Sequence, residues 1–276
     1  MMQKLLSHAR RCVEDYDMFQ EGDRVAVGVS GGKDSLTLLT VLSRLSTFYP
    51  KHFTVEAVSI DMGYEGAAPH FEAIRRLCDD LGVNYTVVPT QIREVVFDIR
   101  QESNPCSLCA NLRRGAVNEV ALRLGCRKVA LGHHRDDAIE TFILSLFFAG
   151  RISCFQPVTY LDRKGVTLVR PLLYVQEKEI TAYAKKADLP VMPRFCPADG
   201  YTKRTEVKEL ITDLRRRYPG LPERLFGAMQ RYPLNGWEKV CDAGRCGHRP
   251  NTPSPAEFLA ALTDPSETLP TDPDTL

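Results

Sequence analysis

The chain has 276 residues, of which 43% are hydrophobic and 26% charged, and its formal net charge is +1. This length allows one full core with a smaller appendage, and the composition is that of a globular protein. No apolar run approaches the roughly 20 residues of a membrane-spanning helix, and the N-terminus lacks the uninterrupted apolar core of a secretory signal. We therefore expect a cytoplasmic protein without a membrane partner.

Basic and acidic residues are unevenly distributed along the chain. Eight basic and four acidic residues occur between positions 203 and 231, whereas positions 250–276 hold five acidic and no basic residues. Without that acidic tail the net charge would be +6. The asymmetry is compatible with a basic docking face, so the small net charge does not exclude a nucleic acid partner.

The chain opens with an amphipathic pattern that predicts a helix over residues 1–20, with Leu5, Leu6, Ala9, Val13 and Tyr16 on its apolar side. This helix would pack on the domain that follows, or across a dimer. Residues 25–29 are small or β-branched and predict a buried parallel strand. A turn of small residues comes next, and then a helical pattern from Asp34 to about Thr47.

The turn between this strand and this helix is suited to a phosphate chain. It consists of Ser30, Gly31, Gly32, Lys33, Asp34 and Ser35. Two glycines let a ligand approach the main-chain N–H groups closely, and the helix that follows adds unpaired donors and the positive end of its dipole. The serine hydroxyls and the lysine add further donors. No Walker pattern can be drawn here.

Strands and helices then alternate. Residues 53–61 predict a strand that ends in Asp61, residues 69–82 a helix, and residues 84–89 a third strand. A helix over 107–124, a strand over 128–133 and a helix over 136–148 follow, and the last of these is too apolar to be exposed. This spacing predicts an α/β fold with a doubly wound parallel sheet.

The pattern changes beyond Gly150. Residues 155–160 and 165–170 predict a hairpin, and helices are expected over 176–187, 203–217 and 222–231. The last 27 residues carry six prolines and five acids, which favours a disordered tail with at most a short helix near Phe258. We therefore divide the chain into an N-terminal helix (1–20), a nucleotide-binding domain (21–150), a small helical C-terminal extension (151–235) and a flexible tail (236–276).

Nine cysteines are spaced too irregularly for a disulfide framework, so in a reducing compartment they indicate metal binding or catalysis. Cys106 and Cys109 lie at the start of a predicted helix, whose N-terminus favours the thiolate. Two buried core cysteines or a redox disulfide would give the same spacing. The remaining cysteines are interpreted as small buried hydrophobic residues (Cys12, Cys78, Cys126, Cys154) or as spare surface thiols or a second metal site (Cys241 and Cys246, with His248).

Two carboxylates follow the fourth predicted strand. Asp136 and Asp137, after His133, lie where the strand gives way to a helix, and Mg²⁺ prefers such oxygen ligands. One of the two carboxylates could instead cap the helix. Asp61 likewise could face a nucleotide or cap a turn. We expect at least one of Asp136 and Asp137 to contact the ligand.

The turn at 30–35 is similar to the signature of the PP-loop ATP pyrophosphatases, which cleave ATP between the α- and β-phosphates. Other stretches resemble one family among them, the tRNA 2-thiocytidine synthetases (TtcA). These stretches occur in family order: Pro-Cys-Ser-Leu-Cys at 105–109, Asn-Leu-Arg-Arg-Gly at 111–115, Leu-Gly-His-His-Arg-Asp-Asp at 131–137, Arg-Pro-Leu at 170–172 and Arg-Tyr-Pro-Gly at 217–220. The resemblance covers about residues 20–231.

The resemblance implies ATP, Mg²⁺ and a [4Fe–4S] cluster as cofactors. Cys106, Cys109 and Cys196 match the three cluster ligands, and three protein ligands leave one iron open, whereas a structural zinc site needs four. The sequence departs from the family at Arg194, which replaces the first cysteine of a second Cys-x-x-Cys, and at 197–199, where Pro-Ala-Asp replaces Gly-Ser-Gln. These changes put the local loop and the substrate details in question.

The implied activity is an ATP-dependent tRNA sulfurtransferase. The C2 oxygen of an anticodon-loop cytidine, at position 32, would be adenylated and then replaced by sulfur delivered through the cluster. ATP would bind at Ser30–Ser35, Asp61 and His133, and catalysis would involve Lys33, Asp136 and Asp137. Partners would be tRNA, a cysteine desulfurase or another sulfur donor, and a second copy in a homodimer. Basic side chains expected at tRNA phosphates are Arg113, Arg114, Arg151, Lys203, Arg204, Arg215, Arg216 and Arg217.

Two alternatives remain open at the level of sequence. One keeps the ATP chemistry and changes the product to 2-thiouridine or a lysidine-type base, and the lysidine chemistry would not need the three cysteines. The other is a non-catalytic nucleotide-binding iron–sulfur protein.

Overall fold

In residues 1–100, 105–193, 195–196 and 202–240, which the computed structural model describes, six strands form one sheet in the order β3-β2-β1-β4-β6-β5. Neighbouring strands are parallel except β5 and β6. The strands are β1 (Asp23–Gly28), β2 (Phe53–Asp61), β3 (Asn84–Pro89), β4 (Lys128–Ala130), β5 (Val158–Leu161) and β6 (Val166–Val169).

Helices flank both faces of the sheet. They are α1 (Met2–Asp15), α2 (Lys33–Ser46), α3 (Ala68–Asp80), α4 (Pro105–Arg123), α5 (Arg135–Ala149), α6 (Glu177–Lys186), α7 (Lys203–Arg217) and α8 (Leu221–Arg231), with a π-helical segment at Glu94–Ile99. None of these described helices is long and apolar enough to span a membrane.

The side chains of the central strand alternate between two cores. Val25 and Val27 belong to the larger core, together with residues of α1, α2, α3 and α6, whereas Ala26 belongs to the smaller core, with Val120 and Ala121 of α4. Strands β2 and β3 lie on one side of β1 and β4 on the other, so the strand order reverses between β1 and β4. The predicted α/β fold with a doubly wound sheet is therefore confirmed. Ligands of such sheets bind where the order reverses.

Several element bounds differ from the expectation. Helix α1 ends at Asp15 rather than at residue 20. Strand β4 ends at Ala130 rather than at residue 133, because residues 131–134 leave the sheet as a loop. The π-helical segment lies in a stretch that the sequence assigned to a linker. The hairpin β5–β6 continues the same sheet, since β6 pairs in parallel with β4. The division into domains stays a prediction, but the sheet does not end at residue 150, and Trp237, inside the predicted flexible tail, is buried in the larger core.

The expectation that α5 is too apolar to be exposed is wrong for its second half. Ala138, Ile139 and Glu140 are buried, whereas Leu146, Phe147 and Phe148 are exposed. Helices α7 and α8 pack on α5, and this packing buries the first part of the helix only. A composition rule cannot detect how far a helix extends beyond the elements that cover it.

In the described part of the chain, four cysteines lie outside the predicted cluster. Cys12, Cys78 and Cys126 are buried as expected, and Cys154 is partly exposed. The predictions for Arg194, for residues 197–199, for Cys241, Cys246 and His248, and for the acidic tail with Phe258 lie outside the described residues.

Candidate functional site: two adjoining cavities at the sheet edge

The glycine-rich loop at residues 30–35 lies between β1 and α2. Gly31 has φ +80°, in the left-handed region that favours glycine, and Gly32 is the N-cap residue of α2. The Ser35 hydroxyl accepts a hydrogen bond from Ser30 N at 3.1 Å and lies 3.2 Å from the Ser30 hydroxyl. The loop is therefore braced from within, and the first N–H groups of α2, which have no intrahelical partner, can face an anion.

Lys33 is held by carboxylates. Its Nζ lies 2.8 Å from Asp34 and 3.2 Å from Glu177 at the start of α6, and Glu177 also pairs with Lys208 of α7 at 2.7 Å. Burial lowers the pKa of Lys33, but Asp34 and Glu177 outweigh this effect, so the pKa is raised. A phosphate at the loop has to compete with these carboxylates for the ammonium group.

A second loop, residues 131–134, packs directly on the first turn of α2. A Cβ at Gly132 would lie 3.1 Å from Ser35 N and from the Asp34 carbonyl carbon, so only glycine allows this close approach without a shift of the backbone. His133 follows, with its ring 4.9 Å from that of Phe155. Burial is the main cause that lowers the pKa of His133 to about 4, so the imidazole is neutral at pH 7. Among the described residues, its buried Nδ1 has no hydrogen-bond partner.

The two predicted metal carboxylates lie in different environments. Asp137 and His134 form a capping box at the start of α5: His134 N donates to Asp137 Oδ2 at 3.0 Å, and Asp137 N donates to His134 Nδ1 at 3.3 Å. Asp136 instead accepts a hydrogen bond from Glu177 N at 2.8 Å and so caps α6. Both carboxylates therefore cap helices, and only Asp137 also lines the cavity described next.

A cavity of about 430 Å³ opens between the two loops, β2 and α4. We call it the loop cavity. Its polar lining comes from the glycine-rich loop, from the 131–134 loop with Asp137, and from α4: Ser30, Asp34, Ser35, His133, Asp137, Arg113 and Arg114. Two arginines and the start of α2 provide anion-binding groups in this cavity, and Asp34 and Asp137 offset the arginine charges.

A second cavity, of about 300 Å³, adjoins the first, and we call it the cysteine cavity. Asp61, Tyr64, Met192, Phe195 and Cys196 are among its lining residues. The two cavities share one wall, made of Val29, Ser30, Ile60, Met62 and Arg113. Asp61 thus faces the cysteine cavity, and its Oδ1 also accepts a hydrogen bond from Gly63 N at 2.9 Å, as in a capped turn.

Two of the three predicted cluster cysteines share a helix, and the third comes from a distant part of the chain. Cys106 and Cys109 lie in the first turn of α4, and Cys196 follows α6. Burial raises the pKa of Cys109, Arg113 lowers it, and the neighbouring Cys196 and Cys106 thiols raise it further. The expectation that the helix N-terminus favours a thiolate is wrong for Cys109, because burial dominates. In the described part of the chain, no three metal-binding side chains already stand in a coordinating arrangement.

The neighbours of Cys196 tie the cysteine cavity to the glycine-rich loop. Burial and the neighbouring Cys196 thiol raise the pKa of Tyr64, and the Tyr64 and Phe195 rings are stacked with centroids 6.3 Å apart. Three residues before Phe195 in the sequence, Met192 N donates a hydrogen bond to Gly31 O at 2.9 Å. The segment that carries the third cysteine is thus bonded to the loop that starts α2.

Comparison with known proteins gives this arrangement a family. Residues 2–193 match the PP-loop domain family. A tRNA-cytidine(32) 2-sulfurtransferase from Tolumonas auensis is 36% identical over 83% of this chain and 76% of its own length, and one from Actinobacillus pleuropneumoniae is 35% identical over 88% and 75%. The chain belongs to the tRNA-cytidine(32) 2-sulfurtransferase family.

Among the solved structures similar to this PP-loop family member is one of a tRNA-modifying enzyme. It is that of the U34-tRNA thiolase NcsA from Methanococcus maripaludis with its [4Fe-4S] cluster, which is similar with a TM-score of 0.66 and 24% identity over 84% of this chain and 79% of that chain. The recognition of the family from the sequence and the assignment of the chain to the transferases are therefore confirmed.

Sequence reasoning missed several residues of this PP-loop site. Arg113 and Arg114 were expected at tRNA phosphates, but they line the loop cavity. Glu177, which binds Lys33, and Tyr64, which lines the cysteine cavity with Cys196, had no signal in the sequence, because their partners are distant along the chain. Arg204, also expected at a phosphate, lies 3.3 Å from the buried Glu140.

Proposed function

We propose that this chain is an ATP-dependent tRNA sulfurtransferase that replaces the C2 oxygen of cytidine 32 by sulfur. The observation that carries the proposal is the shared wall of the loop cavity and the cysteine cavity, since it places the phosphate-binding loop beside Cys196, and Cys109 Sγ lies 3.9 Å from Met62 of that wall. The names of the relatives supply the substrate: they are tRNA-cytidine(32) 2-sulfurtransferases.

ATP would occupy the loop cavity with its phosphates at residues 30–35. The N–H groups of the first turn of α2 and the guanidinium groups of Arg113 and Arg114 would bind the phosphate oxygens. Lys33 would leave Glu177 for a phosphate. Asp137 is the carboxylate that would hold Mg²⁺ against the triphosphate, because it lines the cavity and Asp136 does not.

Adenylation solves a problem of leaving groups. The C2 oxygen of cytidine attacks the α-phosphorus, the bond from that phosphorus to the bridging oxygen breaks, and pyrophosphate leaves. Sulfide then bonds to C2, the C2–O bond breaks, and AMP leaves with the former carbonyl oxygen and a proton is released. The oxidation states of carbon and phosphorus do not change, so these two steps need no external oxidant or reductant. Neutral His133 lines the cavity and can hydrogen-bond to a ligand without adding charge.

Cys106, Cys109 and Cys196 fit a [4Fe–4S] cluster in donor chemistry. They are three soft sulfur ligands within electrostatic reach of one another, beside a Met62 sulfur that lies 3.9 Å from Cys109 Sγ. Since no coordinating arrangement is preformed among the described residues, the three sulfurs would draw together when the cluster binds. When bound, such a cluster supplies an iron that no protein ligand occupies, which is the chemistry that activates a sulfide.

The test uses full-length protein purified without oxygen. We expect about four irons and four acid-labile sulfides per chain, and, with unmodified tRNA, ATP and sulfide, the formation of AMP and of 2-thiocytidine at position 32, identified by mass spectrometry of digested tRNA. Cys196→Ala should lose the iron and the thiolated product. The matched control is Cys78→Ala, a buried cysteine of α3 that lines neither cavity.

Three results would contradict parts of the proposal. Thiolated product from Cys196→Ala would remove the cluster from the reaction. A 2-thiouridine or lysidine-type product would change the acceptor and keep the ATP chemistry. Iron binding without AMP formation for any tRNA would favour a non-catalytic iron–sulfur protein.

A further inference from the structure

The carboxyl-terminal end of α5 exposes a group of large apolar side chains. The exposed fractions are 40% for Leu146, 57% for Phe147, 50% for Phe148 and 74% for Ile152. We call these four residues the aromatic platform. Adjacent large apolar side chains in contact with water mark a surface that a partner covers.

We propose that the aromatic platform stacks unpaired bases of the tRNA anticodon loop that flank the substrate cytidine. The inference rests on the proposed function and adds to it a surface for the rest of the loop. Aromatic side chains bind single-stranded nucleic acid in this way because every base has a flat π-face.

The charges around the platform match RNA. Lys203 Nζ lies 5.0 Å from the centroid of the Phe148 ring, and the exposed Arg151 lies between Phe148 and Ile152 in sequence. No acidic residue occurs in the stretch 142–157, and the one carboxylate paired with Lys203, Glu206 at 2.8 Å, forms an exposed ion pair that a phosphate can replace. Stacking surfaces that carry cations at their rim bind bases and phosphates together.

The position of the platform fits a loop whose target base enters the site. Helix α5 starts beside the loop cavity, where Asp137 lines the wall, and Phe147 follows ten residues later. At a rise of 1.5 Å per residue this separation is about 15 Å along the helix. A short stretch of single-stranded RNA can span this distance, so one base can lie at the cavity while its neighbours lie on the platform.

A second copy of the chain fits the platform less well. In a two-fold dimer the same patch meets itself, so the exposed Arg151 would face the same cation of the other copy. Like charges around a buried apolar contact are unfavourable, whereas RNA phosphates neutralise them.

The test measures RNA affinity separately from catalysis. The probe is a fluorescent anticodon stem-loop with an unmodified cytidine at position 32, titrated with the anaerobically purified holoprotein without ATP. We expect Phe147→Ala and Phe148→Ala each to weaken binding about 5- to 150-fold, which corresponds to the loss of stacking with one base. Phe148→Leu should lose most of this affinity, because it keeps an apolar side chain without a ring, and Phe148→Trp should keep it.

Phe48→Ala is the matched control, because Phe48 is also 50% exposed and lies just after the far end of α2. The phenylalanine variants should leave the salt dependence of binding unchanged, since they remove no phosphate contact, whereas Lys203→Ala should reduce its slope. A fully paired RNA duplex should bind the wild type and the phenylalanine variants equally.

Equal affinity of Phe147→Ala, Phe148→Ala and Phe48→Ala for the stem-loop would overturn the inference. If the first two variants instead convert an oligomer into monomers in sedimentation and keep their RNA affinity, the surface is an interface between copies. Failure of the proposed function gives a different result. The wild type would then bind the stem-loop and the platform variants would bind it less, but the wild type would form no 2-thiocytidine.

Discussion

Replacing Gly31 by alanine should destabilise the protein through two separable effects. Gly31 has φ +80°, a conformation that strains any residue with a Cβ. An added Cβ would also lie 2.6 Å from Cγ and 3.0 Å from Cβ of Met192. Met192 cannot simply rotate away, since its Cβ is fixed to a backbone that donates a hydrogen bond to Gly31 O.

The two effects have different magnitudes. A left-handed conformation costs a residue with a Cβ about 1–2 kcal/mol. Overpacking against Met192 adds about 1–3 kcal/mol, because either its side chain or the 189–193 backbone has to shift. Gly22 provides the matched control, since it has φ +78° and no atom within 4 Å of an added Cβ. We therefore expect Gly22→Ala to lose only the first amount and Gly31→Ala to lose about 2–5 kcal/mol.

The assay is equilibrium unfolding in urea, followed by the fluorescence of Trp237. This residue is the only tryptophan of the chain and is 1% exposed, so its emission reports on the core. The variants are Gly22→Ala, Gly31→Ala, Met192→Ala and the double variant Gly31→Ala/Met192→Ala. Equal m-values among them would show that the free energies of unfolding can be compared.

The double variant decides whether the clash is real. Met192→Ala by itself removes a partly buried side chain and should be destabilising, but in the Gly31→Ala background it should restore stability by removing the overlap. The expected coupling energy is about 1–3 kcal/mol. If Gly31→Ala and Gly22→Ala are equally destabilised and the cycle shows no coupling, the contact between the glycine-rich loop and the segment before Cys196 does not constrain this position.

Three further predictions concern the loop cavity. Gly132→Ala should weaken ATP binding and lower stability by pushing the 131–134 loop off α2, whereas Gly115→Ala, in open space on α4, should raise the free energy of unfolding by about 1 kcal/mol. Calorimetry with ATP and unfolding in urea would check both variants, and an unchanged ATP affinity of Gly132→Ala would contradict the first prediction. Glu177→Gln should release Lys33 for a phosphate and tighten ATP binding several-fold, about 1 kcal/mol, and weaker binding would show that the pair helps the nucleotide site instead. Because the pKa of His133 is lowered to about 4, the histidine of the unfolded chain takes up a proton first as the pH falls below about 6.5. The free energy of unfolding should therefore decrease between pH 6.5 and pH 4 by up to about 3 kcal/mol. The decrease from pH 7 to pH 5 should be smaller in His133→Gln, and an equal decrease in both proteins would refute the lowered pKa of His133.

The sequence by itself determined the features that depend on local chemistry. The alternation of strands and helices predicted the doubly wound sheet, and the small residues at 30–35 predicted the phosphate loop at its carboxyl edge, because strand period, turn chemistry and helix start are all properties of neighbouring residues. The spacing of Cys106 and Cys109 placed two thiols on one turn of α4 for the same reason. The order of several such stretches identified the family.

Only the tertiary structure decided which distant groups meet. Asp136 and Asp137 are equivalent in sequence, but packing against α6 makes one a cap of that helix and leaves the other at the cavity. The pairing of Lys33 with Glu177 and the stacking of Tyr64 on Phe195 join residues more than a hundred positions apart. The exposed end of α5 looks like core in sequence, because an apolar helix carries no local record of where its covering neighbours stop. Burial and long-range contact arise from chain packing, and so they cannot be read from any one segment.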